Sequence, residues 1–182
     1  ASPLDASLLW VVTSNGLVHV TRDMGKTWTK VSPPRLSADA ALTVWTMEAS
    51  SHDAGVAYVG AIDLSDAHGP ALFMTRDFGA TWKEINNGLP PNVPTRAVRE
   101  DPKQASLLYA ATQKGVYVSF DRGGQWQPLQ LNLPTAPVND LTIHGDDLIA
   151  ATWGRAIWAL DNVTPLRQIA AARANTANAF LF

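Results

Sequence analysis

The 182-residue sequence contains no cysteine, which excludes disulfides and thiolate metal sites. It has no run of 18 or more apolar residues, and ASPLDASLLW at its start lacks the basic-then-apolar layout of a signal peptide, so no membrane segment is expected. A glycine-rich phosphate loop and a nucleophile elbow are also missing. Charge is scarce: the formal net value is −2, which offers no electrostatic attraction to nucleic acid, and no such partner is expected. What the chain has instead is seven tryptophans, twelve glycines and twelve prolines within 46% hydrophobic content. That mixture points to a buried core built from many short strands, tight turns and aromatic packing, an all-β composition.

The turns are written three times. TRDMGKTW (Thr21–Trp28) returns as TRDFGATW (Thr75–Trp82) and, more worn, as SFDRGGQW (Ser119–Trp126). The aspartates Asp23, Asp77 and Asp121, with a degenerate fourth mark at Asp161, are spaced by 54, 44 and 40 residues, the period of a β-propeller blade. Upstream of each mark lie two apolar strands broken by a turn, as in LLWVVTSNGLVHV and LLYAATQKGVYV. Further upstream, VWTMEAS, TRAVRED and VNDLTIH alternate or nearly alternate in polarity; downstream, TWTKV, TWKEI and QWQPL supply a last strand. A blade is therefore four antiparallel strands, A to D, with the octapeptide on the C–D hairpin. Gly25, Gly79 and Gly123 supply the positive φ of a tight turn, the three aspartates can accept hydrogen bonds from its amides, and Trp28, Trp82 and Trp126 can wedge against the neighbouring sheet.

This octapeptide resembles the Asp-box, or BNR, repeat of sialidases, sortilin-type receptors, xyloglucan-active hydrolases and photosystem assembly factors. The tail DDLIAATWGRAIWALDNVTPLRQ is similar to the C-terminal blade of large bacterial glycosyl-hydrolase-like, sortilin-like propeller proteins, which often carry histidine where this chain has Trp153 and glycine or serine where it has Ala156. The resemblance implies an extracytoplasmic protein that binds carbohydrate or scaffolds a carbohydrate-active site; any enzyme among such proteins would be a glycoside hydrolase. The alternative it implies is a sortilin-like propeller that holds peptides or proteins without turnover.

The expected fold is a propeller segment of about four blades, roughly residues 1–32, 41–87, 94–131 and 137–182. The first lacks strand A, and the last lacks an obvious strand D. LRQIAAARANTAN follows as a helix, then the apolar AFLF. Because the resembled rings have six or more blades and open sheet edges favour pairing, self-association or further blades are expected to complete the ring.

In this topology the D–A and B–C connections share one face around the channel, where ligands bind. The longest, AIDLSDAHGP (Ala61–Pro70), holds Asp63, Asp66 and His68. Asp39, Asp63 and Asp66 are the catalytic candidates, since carboxylates from different loops facing one channel are what a glycosidase needs. Arg35, His68, Arg96, Trp153 and Arg155 are the binding candidates, with Asn92 and Asp140 nearby: guanidiniums can clamp polar groups, and an exposed indole can stack on a sugar ring. No metal is expected, because the spacing of Asp63, Asp66 and His68 fits no regular metal loop, and no cofactor is expected. The repeated aspartates are spread over separate blades on the opposite rim. They cannot converge on one substrate, so their role is structural.

Overall fold

The computed structural model describes residues 1–13, 15–36, 42–63, 71–91 and 93–174. Within them the chain forms four antiparallel sheets, each made of strands consecutive in sequence. The first holds β1 (Leu9–Val12), β2 (Val18–Thr21) and β3 (Thr29–Lys30). The second holds β4 (Leu42–Ala49), β5 (Ala57–Asp63), β6 (Ala71–Thr75) and β7 (Lys83–Glu84), and the third β8 (Thr95–Asp101), β9 (Gln104–Thr112), β10 (Gly115–Ser119) and β11 (Gln127–Pro128). The fourth holds β12 (Val138–His144), β13 (Asp147–Thr152) and β14 (Ile157–Leu160), and is followed by the helix α1 (Thr164–Ala174). The leading strands β4, β8 and β12 contact one another from sheet to sheet, which places them innermost, around a common axis. This is a run of four β-propeller blades.

Stacking buries both faces of the second and third sheets, which have a blade on either side, and the sequence is built for that. Every residue of β6 is buried, as are the last six of β9. Along β5, Ala57, Val59 and Ala61 join a core shared with Leu8, Trp10, Val18 and Val20 of the first blade. The intervening Tyr58 joins Val98, Leu108 and Trp126 of the third. Strand alternation thus serves two cores from one strand, so these strands read as apolar runs rather than as an inside–outside pattern.

The three repeated hairpins share one geometry. The leading hydroxyl of Thr21, Thr75 or Ser119 accepts from the amide of Gly25, Gly79 or Gly123 at 3.0, 2.8 and 2.8 Å, and donates to Asp23, Asp77 or Asp121 at 2.6, 2.9 and 2.8 Å. Each aspartate then accepts from the amide of Thr27, Thr81 or Gln125 at 2.9, 2.8 and 2.9 Å. At Gly79 and Gly123, φ is +84° and +83°, and a Cβ there would meet Val31 or Ile85 of the preceding blade at 2.6 and 2.7 Å. Glycine is required both by the turn and by the close approach. Asp77 and Asp121 are exposed and Asp23 is half-buried, whereas Thr21, Thr75 and Ser119 are buried. The hydroxyl is therefore the buried keystone, although the sequence draws the eye to the carboxylate. Thr75→Val is expected to cost about 1–3 kcal/mol in denaturant unfolding, because it strands the Gly79 amide.

Hydrogen bonds from the Thr21 and Thr27 hydroxyls, with others from the turn, hold the Asp23 carboxyl down at about 2. Asp77 lies below its usual range through its bonds to Thr81, and Asp146 through those from Lys103 and Arg167. Their folded pKa values are depressed, so the stability they contribute is present above about pH 4, the unfolded carboxylate range, and is lost as pH falls below it. A carboxyl-carbon NMR titration should find Asp23 still ionised at about pH 3. An ordinary midpoint near 4 would remove the turn bonds from the account.

At the fourth mark the pattern starts and then diverts. Asn162 after Asp161 has φ +59°, matching Met24, Phe78 and Arg122 at 58°, 57° and 58°. The next residue is Val163 where the other hairpins have glycine, and the chain enters α1, with Asn162 Oδ1 accepting from the Thr164 amide at 3.1 Å. Val163 and Ala170 bury against Leu107, Tyr109 and Phe120 of the third blade. The Arg173 guanidinium lies 4.7 Å over the Phe120 ring, much as Arg22 lies 4.2 Å over Phe78 at the seam of the first two blades. The helix starts two residues before the expected LRQIAAARANTAN; residues 175–182, including AFLF, lie outside the described residues.

Candidate functional site

The inner strands share an irregularity. Pairing of β4 with β5 skips Trp45, that of β8 with β9 skips Arg96, and that of β12 with β13 skips Asn139. Each inner strand thus carries a β-bulge at the same place, and a bulge re-aims the residue it expels. Trp45 is 53% exposed on its strand, with the Arg96 guanidinium 5.1 Å from its ring centre. In the fourth blade the Trp153 amide donates to Pro137 O at 2.8 Å, which fastens the β13–β14 turn beside the segment entering β12. The Trp153 indole is 68% exposed there. A wall of three blades therefore presents an indole, a guanidinium and a second indole.

Three residues further along, Arg99 ties the inner strands together. Its guanidinium donates to Glu48 of β4 at 3.1 Å, to Asp140 of β12 at 2.6 Å and to Leu141 O at 2.7 Å. Burial pushes the Glu48 carboxyl up, and the Arg99 charge works against that rise. With both carboxylates on one guanidinium, Glu48 and Asp140 act as its counterions. A buried Glu100 beside them accepts from the hydroxyls of Ser50 and Tyr58 at 2.6 and 2.9 Å and from the Ser51 amide at 2.9 Å. Burial, then the Glu100 charge, drives the Tyr58 phenol far above its usual range. These bonds lock the second blade to the third.

Of the residues expected to bind, Arg96, Trp153 and Arg155 lie on this wall or the turn beside it, and the Arg155 carbonyl accepts the Trp158 indole N–H at 2.6 Å. Arg35 does not join them: it pairs with Glu84 at 3.1 Å, at the end of the outermost strand of the second blade. Asp63 closes β5 opposite Leu42, and its side chain lies outside the described residues, as do Asp39, Asp66, His68 and Asn92. Sequence reasoning missed Trp45, Glu48 and Arg99. Their strands were legible, but a bulge leaves no mark in VWTMEAS or TRAVRED. Among the described residues no group of three or more histidine, aspartate or glutamate side chains could hold a metal ion, and no helix is long and apolar enough to cross a membrane.

No family model matches the chain. Among solved structures it is similar to the GH74 xyloglucanase from Xanthomonas campestris, with a TM-score of 0.62 and 19% identity over 88% of this chain and 28% of that one. It is likewise similar to YCF48 bound to D1 peptide, with a TM-score of 0.63 and 19% identity over 88% of this chain and 49% of that one. Among curated proteins, the vacuolar protein sorting/targeting protein 10 of Pyrenophora teres f. teres is 27% identical over 95 residues, 52% of this chain and 6% of that protein. The chain thus spans less than half of each of these proteins, and the likenesses establish the propeller fold.

Proposed function

We infer that these blades form a carbohydrate-binding wall of an Asp-box propeller that works outside the cytoplasm. The observation that carries this is the exposed indole of Trp45 with Arg96 against it, on an inner strand whose bulge turns it out, in company with the exposed indole of Trp153. A pyranose ring offers an apolar C–H face to an indole, and its hydroxyls accept from a guanidinium, so alternating aromatic and cationic side chains suit a sugar chain lying across blades. The Asp-box assignment is supported by the three hairpins of one geometry. Glu48 and Asp140 share Arg99, and the role proposed for this wall is to hold a polysaccharide rather than to supply its acid and base. The test is a glycan array that includes soluble xyloglucan, probed with the chain and with Trp45→Ala and Trp153→Ala. Saccharide binding weakened about tenfold by either substitution supports the reading; an array without a bound glycan overturns it.

A further inference from the structure

We propose that the groove at the outer seam of the first two blades, between β3 and the hairpin that leads into β7, docks an acidic, extended peptide segment of a partner protein. The proposal does not depend on the carbohydrate reading. At the seam of the second and third blades the chain fills the equivalent place itself. There the Asn87 carbonyl accepts from the Trp126 amide at 2.8 Å, and the Asn87 side chain donates to Gly124 O and Gln125 Oε1 at 3.3 and 2.6 Å. Matching bonds align the two seams: the amides of Val31 and Ile85 donate to Val18 O and Leu72 O, and the side chains of Ser32 and Asn86 accept from the amides of Val18 and Leu72. Pro33 and Pro34 therefore stand where the later seam has Asn87 and Gly88.

Proline cannot repeat what that glycine does. Gly88 has φ +89° and passes so close to the Trp126 carbonyl that a Cβ would collide with it, whereas proline carries a ring and is held at a negative φ. The first linker stands off instead: the Pro33 carbonyl accepts from the Leu36 amide at 2.8 Å, and the Trp82 amide has no acceptor among the described residues. What remains is a groove of about 700 Å³, within the range of ligand clefts, with Val20, Val31, Pro34, Phe78 and Trp82 in its walls. Its charged lining residues are Arg22 and Lys30, both exposed and without an ion-pair partner among the described residues. Nearby carboxylates are committed: Asp5 accepts from Ser7, Asp23 and Asp77 from their own turns, and Glu84 pairs with Arg35. A free backbone amide suits a peptide carbonyl, as Asn87 supplies at the next seam, and two cations over an apolar floor suit acidic side chains flanking an apolar one.

The probe is an array of hexapeptides with leucine or phenylalanine between glutamates, beside a matching array in which lysine replaces glutamate. The tightest acidic peptide, labelled with fluorescein, is then titrated with the whole chain by fluorescence anisotropy. Saturable binding is expected, weakened at least about tenfold by Lys30→Glu and by Ala80→Trp, which puts bulk on an exposed turn position of the groove. In an NMR titration the Trp82 amide should shift, while the indoles of Trp45 and Trp153 stay in place. Should Ala80→Trp fail to fold, Lys30→Glu and the Trp82 shift carry the test. The proposal is overturned if no acidic peptide binds, if the lysine array binds equally well, if either folded variant keeps the parent's affinity, or if the shifts gather at Trp45 and Trp153. An anionic glycan that shifts the Trp82 amide where no peptide does would equally overturn it.

Discussion

Trp126→Ala is expected to lower the stability of the chain by about 3–5 kcal/mol, while Trp28→Ala, at the same place in its repeat, costs no more than about 0.5 kcal/mol. The difference lies in what each indole meets. Trp126 is 2% exposed, packs with Leu89, Val98 and Leu108, and donates its N–H to Ile85 O of the preceding blade at 2.7 Å. Its removal leaves a large cavity at the seam of two blades and strands a carbonyl. Trp28 is 43% exposed and donates to Gly25 O of its own turn at 3.1 Å, so its loss uncovers little. Trp82, which reaches Val31 O at the first seam and is half-buried, should fall between them. Urea unfolding of the three variants, with the midpoint and slope both measured, checks the order. Equal costs for Trp28 and Trp126 would mean that the tryptophans stabilise their own hairpins and do not join blades.

Arg167→Met should cost about as much, some 3–5 kcal/mol, for an electrostatic reason. Asp101 is fully buried at the end of β8, and both its oxygens accept from Arg167 Nε at 2.9 Å. The same guanidinium donates to Asp146, which Lys103 also holds at 2.6 Å. Methionine keeps most of the side-chain volume and removes the charge, leaving Asp101 with the Lys103 amide at 2.9 Å. An uncompensated buried carboxylate is the expensive outcome, so the double variant Asp101→Asn with Arg167→Met should recover part of the loss. If the single variant melts like the parent, α1 is not fastened through this ion pair.

The sequence reveals the blade period and the hairpins because both depend on residue types that few others can replace: glycine at a positive φ that also faces Val31 or Ile85, and a hydroxyl two residues before an aspartate. It hides the buried role of Thr75, because exposure is a property of the stacked blades and not of TRDFGATW. It also hides the wall. Whether Trp45 and Arg99 face a core or the axis depends on a bulge, and a bulge shifts the alternation by one residue without altering composition. Arg35 shows the opposite error. Its place in a D–A connection suggested the ligand face, yet its long side chain reaches outward to Glu84.

The claim that the repeated aspartates build the blades while the inner strands bind the ligand is tested most directly by one titration. The glycan bound most tightly on the array is titrated by tryptophan fluorescence into the parent chain, Trp45→Ala and Asp77→Ala, each checked for folding by circular dichroism. The account predicts that Asp77→Ala binds as the parent does once its unfolded fraction is subtracted, and that Trp45→Ala binds at least about tenfold more weakly. Loss of binding in a fully folded Asp77→Ala, with Trp45→Ala unaffected, would contradict it.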